Sequence, residues 1–442
     1  MSYLLLFLMI LLLTLMAYIF FKKDILSPTF ITCGIYLISV LCSIIGLFYW
    51  NDVSELHIKT LFAIILGLVS FGFGELLARY IRKSPLKEND CCSNFEKIQK
   101  ISMSKFYILI FLLIFSIIYV IFQIKKVCSL YGYSSNFSEM LYFYRKANDL
   151  LYGGNANASY DINFIAKQCL KFCCVVCVFF EYMFVKSLLN KEPKKNKFIY
   201  LLGMILALFS SLLSTGRSIF MHLIIALLFI FIILYRKKYT DKNSSKKLIR
   251  YVLSIGIVSV CLLFVLMPLL GRKTEGSMLD NVSFALGVHI PSFDKKINDD
   301  TDYTGTVYYS NSMTFNNLYA FLYKIKIISN YSKYRPVWYR FGNYSSNTYT
   351  SLGAYYNDYG FLGVIMLQFI FGFVISTLYL SVINKESTFL LLLCAYFFYT
   401  VVDQFRGDQF YGLLTTSTIG YTILLLIIYF YIFKFKVKKD SR

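Results

Sequence analysis

The sequence predicts an all-α, polytopic membrane protein, and three observations point that way. Hydrophobic residues make up 57 % of the 442 positions, aromatic residues 19 % and charged residues only 16 %. With a mean hydropathy of +0.60, that composition excludes a soluble globular chain. Apolar stretches of about 18 residues or more, enough to cross roughly 30 Å of hydrocarbon as helix, recur along it. The basic residues behind a formal net charge of +21 lie mostly in short loops beside those stretches. That distribution sets topology and implies no nucleic-acid partner.

In order, the predicted crossings are 3–21, 28–49, 59–79, 105–124, 162–186, 198–214, 218–235, 251–270, 360–383, 388–403 and 412–433. They amount to about eleven transmembrane helices, within a range of ten to twelve. The first starts at Ser2 without a basic n-region or a small-residue cleavage site, so it reads as a retained helix. If the loops alternate, one set holds Lys22-Lys23, Arg82–Lys105, Lys191–Lys197, Arg236–Arg250, Lys385 and the tail Lys434–Arg442. That set carries the larger share of Lys and Arg, so it is expected in the cytoplasm, with the N-terminus outside and the C-terminus inside. A plasma-membrane protein follows, divided into a membrane bundle over 1–270, a long extracytoplasmic loop over 271–359 and the last membrane helices with a basic tail over 360–442. An amphipathic or re-entrant helix is expected at 314–329. Loops this long usually bind or catalyse. No inverted repeat marks a secondary transporter.

The cysteines offer no disulfide framework. Cys33, Cys42, Cys169, Cys173, Cys174, Cys177, Cys261 and Cys394 fall in apolar runs, Cys91 and Cys92 in a basic loop, and only Cys128 remains for the outer face. Cys174 and Cys177 have zinc-ligand spacing but no second His/Cys pair. Glu75 and Glu181 lie near presumed cytoplasmic helix ends, where snorkelling is the simple expectation.

The most informative stretch runs from Ser211 to Phe220 and sets Arg217 at a polar break between two strongly apolar runs. An arginine near the hydrocarbon core costs about 2.5–3.5 kcal/mol on insertion scales, so something should offset it. Gly216 allows a tight turn, Ser214, Thr215 and Ser218 supply hydroxyls, and the next helix start offers backbone N–H groups. Together they suit a phosphate; a helix-end anchor is the bland alternative. Arg272 and Glu275 follow the next outward-facing break. Two guanidinium groups can neutralise a diphosphate without a metal.

The long loop is dense in tyrosine and asparagine, with Trp338 and Arg340 among them, which suits the C–H faces and hydroxyls of a sugar chain. Asp358 is expected to cap a helix start or act as an acid/base group. Gly360 and Gly363 share a helical face that would permit close packing. Asp403 and Arg406 read as a local ion pair, and His289 as a structural or solvated histidine. Asp300-Thr301-Asp302 resembles a metal-binding triplet, but one such triplet in a hydrophilic turn is weak, and neither metal nor cofactor is expected.

The segments Ser214-Thr-Gly-Arg-Ser218 and Asn347-Thr-Tyr-Thr-Ser-Leu-Gly-Ala-Tyr-Tyr-Asn-Asp-Tyr-Gly360-Phe-Leu-Gly363 resemble the Wzy-type oligosaccharide repeat-unit polymerases of bacteria, the O-antigen and capsule polymerases. The resemblance implies a GT-C-like inverting glycosyltransferase. It would move a glycan from undecaprenyl diphosphate onto an incoming undecaprenyl-diphosphate-linked repeat unit, alongside a flippase and a chain-length regulator. By analogy Arg217 and Arg272 would hold the donor diphosphate, Arg340 would assist, and Asn347 would contact substrate. The O-antigen ligases carry a histidine where this chain has Asn347, which leaves the base open among Glu275, His289 and Asp358. A lipid-linked oligosaccharide flippase, an O-antigen ligase and a chain-length regulator are the competing readings.

Overall fold

The structure is a computed structural model describing residues 2–51, 53–82, 101–130, 136–152, 161–239, 247–248, 250–252, 254–256, 258, 277–298, 312–331, 334, 336–385 and 387–435. In chain order it contains α1 (Ser2–Phe20), α2 (Pro28–Gly46), α3 (Ile58–Ile81), α4 (Met103–Ser129), α5 (Phe137–Tyr152), α6 (Phe164–Leu189), α7 (Lys194–Leu212) and α8 (Arg217–Lys238). Then come the short helices α9 (Met278–Gly287), α10 (His289–Asn298) and α11 (Asn316–Lys324) and the antiparallel hairpin β1 (Tyr339–Phe341) and β2 (Tyr344–Ser346). The chain continues through α12 (Thr350–Asn384), α13 (Thr388–Phe397), α14 (Tyr399–Val402) and α15 (Thr416–Tyr429).

Among the described residues ten helical stretches are long and apolar enough to cross a membrane, and each coincides with a predicted crossing. The chain is a multi-pass helical membrane protein. The remaining prediction, 251–270, lies largely outside the described residues. The crossing expected at 360–383 matches the part of α12 beyond a break at Gly360, and a further helical segment from Thr350 leads into it. Two compact units interleave along the chain: Met1–Pro85, Glu275–Glu386 and Tyr399–Thr418 form the first, and Leu86–Thr274, Ser387–Phe398 and Ile419–Arg442 the second.

In the first unit α3 and α12 meet with their backbones nearly touching. A β-carbon on Gly74 would lie 2.3 Å from the Phe369 carbonyl oxygen, and one on Gly372 would lie 2.2 Å from that of Phe71. Small residues at a crossing allow this approach, and Phe71 and Phe371 close it edge to face with centroids 5.1 Å apart. Further along, α2 offers its serines to α9: Ser39 Oγ donates to the Leu286 carbonyl and Ser43 Oγ to that of Gly287, each at 2.7 Å. These bonds satisfy carbonyls that the helix end leaves orphaned. Helix α10 is buried along nearly its whole length against this bundle. The stretch read as an outer loop thus contains two packed helices besides α11, which occupies part of the helix expected at 314–329.

Gly360 is not a packing residue as expected. Its φ of 62° and ψ of −152° break the helical path of α12, and nothing lies within 4 Å of its missing β-carbon. Essentially only glycine occupies that region of backbone space, so its role is a kink.

Glu75 does not snorkel, because it has a complete set of partners inside. It is fully buried and accepts from Ser27 Oγ at 2.9 Å, the Thr29 N–H at 2.8 Å and Arg79 Nη2 at 2.6 Å. Arg79 also reaches Asp24 at 3.2 Å, and Tyr379 donates to Asp24 at 2.8 Å. A buried charge is tolerable only when paired and hydrogen-bonded in this way.

The second unit is built on α6, whose segment from Cys173 to Met183 is buried on every side, the pattern of a central helix. Phe180 fills the space left by Gly203, where a β-carbon would come within 2.4 Å of its ring. Glu181 is also fully buried rather than snorkelling, accepting from the Cys177 thiol at 3.3 Å. Helix α5, which hydropathy did not reveal, lays Met140, Leu141, Tyr144 and Ala147 against Ile117, Val120, Ile124 and Val127 of α4. Spacings of three and four residues give it one apolar face. Lys105 donates to the Ile432 and Phe435 carbonyls at 2.9 and 2.6 Å and caps the end of the last helix.

Gly74→Ala is expected to lower the thermal midpoint of the detergent-purified protein, since overpacking costs about 1–3 kcal/mol. Gly34→Ala, with nothing within 4 Å, is expected not to lower it. Equal midpoints for both variants would contradict the crossing.

Candidate functional site

The polar break in the second unit forms a short, tightly wound turn. After α7 the chain continues through Leu213 with hydrogen bonds from the Leu213, Ser214 and Thr215 N–H groups to the Ser210, Ser211 and Leu212 carbonyls. The left-handed residue of the turn is Thr215, with φ 58°; Gly216 is extended at φ −91°. This reverses the expectation that glycine supplies the turn, because a β-branched residue takes the conformation that glycine takes at least cost. Thr215 is buried, and the packing around it outweighs the backbone preference.

Gly216 is the N-cap of α8 and Arg217 its first residue. As a glycine, the N-cap residue contributes no side-chain cap, and the first turn of a helix carries N–H groups and a dipole of positive potential. Ser214 Oγ donates to the Ser211 carbonyl at 2.7 Å and accepts from the Gly216 N–H at 3.4 Å. A β-carbon on Gly216 would stand 3.7 Å from both the Ser214 and Ser218 hydroxyls. The bare face of the glycine therefore lies between two hydroxyl groups, next to a half-buried arginine. Such a set offers the kind of donors that an oxyanion accepts from. Arg272 and Glu275 lie outside the described residues.

In the first unit the hairpin presents Arg340 at the surface beside Trp338, which is 61 % exposed. The Arg340 carbonyl accepts from Lys295 Nζ at 3.0 Å, and Lys295 sits 4.4 Å from the centroid of Phe341. Asn347, just past β2, is half-buried. Much of the expected tyrosine surface is spent internally. Tyr349 and Tyr355 are buried, Tyr344 stacks on Phe284 and donates to Asp280, and Tyr331 donates to Asn316 at 2.8 Å.

Asp358 neither caps the next helix start nor joins the hairpin. Its carboxylate accepts from Ser312 Oγ at 2.7 Å, the Met313 N–H at 3.0 Å, the Thr314 N–H at 2.8 Å and Asn357 Nδ2 at 3.2 Å. It pins the segment leading into α11 onto α12. His289 is equally committed. Its Nε2 lies 3.1 Å from the Ala285 carbonyl, which can only accept, so Nδ1 accepts from Thr348 Oγ1 at 2.6 Å. Burial, with the charge of Arg406, holds its ring down at about 3. A neutral, buried imidazole with both nitrogens engaged is structural here.

The expected Asp403–Arg406 ion pair forms at 3.3 Å. Asp408 stands apart from it: its Oδ1 accepts from Tyr355 at 3.0 Å and from the Phe410 and Tyr411 N–H groups at 3.1 Å. Burial of that carboxyl, with Asp358 nearby, pushes it up to about 7 despite those bonds.

Sequence reasoning missed one further constellation. His57, the residue before α3, places Nδ1 2.9 Å from Asp294 Oδ2. Asp294 is buried on α10, while the His57 side chain is 54 % exposed. The two are far apart in the chain, and no local spacing announces their meeting.

Comparison with protein-family models, curated proteins and solved structures finds no match.

The raised Asp408 carboxyl makes stability pH-dependent. Its protonated form is favoured in the folded state, so wild type is expected to lose stability as pH rises from about 4 through about 7. Asp408→Asn keeps the accepting oxygen and removes the charge. Its thermal midpoint should exceed that of wild type at pH 8, with the gap closing toward pH 4. A gap independent of pH would contradict the assignment.

Proposed function

We propose that this chain is a glycosyltransferase of GT-C-like architecture that polymerises undecaprenyl-diphosphate-linked oligosaccharide repeat units into O-antigen or capsular polysaccharide at the outer face of a bacterial plasma membrane. The observation that carries the reading is the turn at Ser214–Ser218. There a guanidinium, two hydroxyls and the start of a 22-residue membrane helix with a glycine N-cap lie together. Glycosyl transfer from a lipid diphosphate has a good leaving group, so a site needs chiefly to meet the charge that develops on it and to orient an acceptor hydroxyl. Arg217 supplies paired N–H donors in a fixed fork, and the helix start adds positive potential without a metal. Arg272 and Glu275 keep the roles suggested by resemblance, while Trp338 offers an aromatic face suited to a sugar ring.

Arg217→Ala is expected to reduce polymer at least about a hundredfold and to leave single repeat units on the carrier or final acceptor. Arg217→Lys should also be badly impaired, because a point charge does not reproduce bidentate geometry. The readout is the electrophoretic ladder of surface glycan from a deletion strain complemented with each variant. A normal long-chain ladder from Arg217→Ala would sink the diphosphate role. Loss of even the single-repeat band in the deletion strain would favour a flippase instead.

A further inference from the structure

Helix α6 of the second unit carries a charge that nothing described around it balances. Lys171 sits about 10 Å along a helix that is long and apolar enough to span a membrane. A lysine in that setting ordinarily pairs with an acid or a carbonyl, or faces a water-filled cavity. The acid of α6, Glu181, lies further along the helix and accepts from Cys177. Asp161, just before the helix, is held by Lys167. Among the described residues Lys171 Nζ has neither a carboxylate partner nor a hydrogen-bond acceptor; what it meets is the face of an aromatic ring. Lys167, one turn back on the same face, is a like charge and offers no relief.

Snorkelling toward the helix start would be the simple remedy, but the ammonium turns sideways onto α15. Its nitrogen lies 5.6 Å from the centroid of Tyr421, whose ring packs on Tyr396 of α13 with centroids 5.3 Å apart. A β-carbon on Gly420 would lie 3.9 Å from the same nitrogen, and no other atom from outside that stretch of helix comes within 4 Å of the position among the described residues. Space beside the charge is therefore open. An aromatic face offsets only part of the cost of a cation in hydrocarbon and leaves the three N–H donors without an oxygen. The apolar surroundings indicate what supplies one. Phe164 and Ile165 at the start of α6 and Ile419 and Ile423 on α15 are each more than half exposed, so acyl chains border the site. A ligand that fits has oxygen acceptors, a negative charge and apolar chains beside them. A single ammonium matches the single charge of a phosphodiester, whereas the forked guanidinium at Arg217 suits a diphosphate.

We propose that Lys171, with Gly420 and Tyr421, binds the phosphodiester headgroup of an anionic phospholipid from the surrounding bilayer. A phosphate oxygen accepts from Nζ in the space left by Gly420, and the acyl chains lie along the exposed residues of α6 and α15. The site belongs to the second unit alone and does not depend on the glycosyltransferase reading.

The test uses the detergent-purified full chain, with lipid binding followed by native mass spectrometry for phosphatidylglycerol and, as a zwitterionic control, phosphatidylcholine. Wild type is expected to prefer phosphatidylglycerol. Lys171→Gln should bind it about fivefold more weakly, the weight of one basic residue at an anionic lipid surface. Lys171→Arg should retain the affinity, whereas Gly420→Leu, which keeps the charge and fills the space beside it, should lose it. Removing an unmatched charge from an apolar helix should leave the thermal midpoint of lipid-free Lys171→Gln at or above that of wild type, and phosphatidylglycerol should raise the wild-type midpoint more than the variant's. Equal affinity of phosphatidylglycerol for wild type and a folded Lys171→Gln would overturn the proposal. So would a Lys171-dependent preference for undecaprenyl diphosphate over phosphatidylglycerol, which would make this a site for the carrier lipid instead.

Discussion

An ionised group inside a helical bundle has no water to face, and this constraint organises much of the molecule. Glu75 is stabilised by Ser27, the Thr29 N–H and Arg79, and Arg79 by Asp24 in turn. Removing one partner would leave a charge stranded, so these residues fix how the ends of α2, α3 and α12 meet. Asp294 and Asp358 do the corresponding work among the short helices, each collecting backbone and hydroxyl donors from a distant part of the chain. The loop between the last membrane helices adds a carboxyl, Asp408, whose burial favours its protonated form.

Against that background the start of α8 is distinctive for its sign. Glu75, Asp294 and Asp358 each collect several donors, whereas here a guanidinium begins a helix whose N-cap is a glycine. The left-handed Thr215 holds the turn in a conformation that β-branched residues ordinarily avoid. Strain of this kind is kept where surrounding packing demands it, and a turn that sets two hydroxyls around a bare glycine face is a suitable place for it. The proposed diphosphate supplies the charge that complements this arrangement.

The membrane helices were legible in the sequence because long apolar runs have few alternatives to crossing a bilayer as helix. Helices α5, α9 and α10 were not, since each is short and only one-sided or interrupted in its apolar pattern. Gly360 and Gly363 illustrate a second limit: their spacing reads equally as a packing face or a kink, and only the backbone angle at Gly360 decides. Gly216 looked like the residue that allows the turn, but its neighbour Thr215 takes that role. Glu75 looked free to snorkel because, Arg79 apart, its partners Ser27 and Thr29 lie far away in the chain at the start of α2. The His57–Asp294 pair was invisible for the same reason, while Arg217 stood out because its cost is local to the sequence around it.

The central claim is that the start of α8 receives a lipid diphosphate through Arg217. Binding of undecaprenyl diphosphate and undecaprenyl monophosphate to the detergent-purified full chain, compared between wild type and Arg217→Ala, tests it most directly. Wild type should prefer the diphosphate by about tenfold or more, equivalent to about 1.4 kcal/mol, and the variant should lose that preference while remaining folded. Unchanged diphosphate affinity and preference in Arg217→Ala would contradict the account.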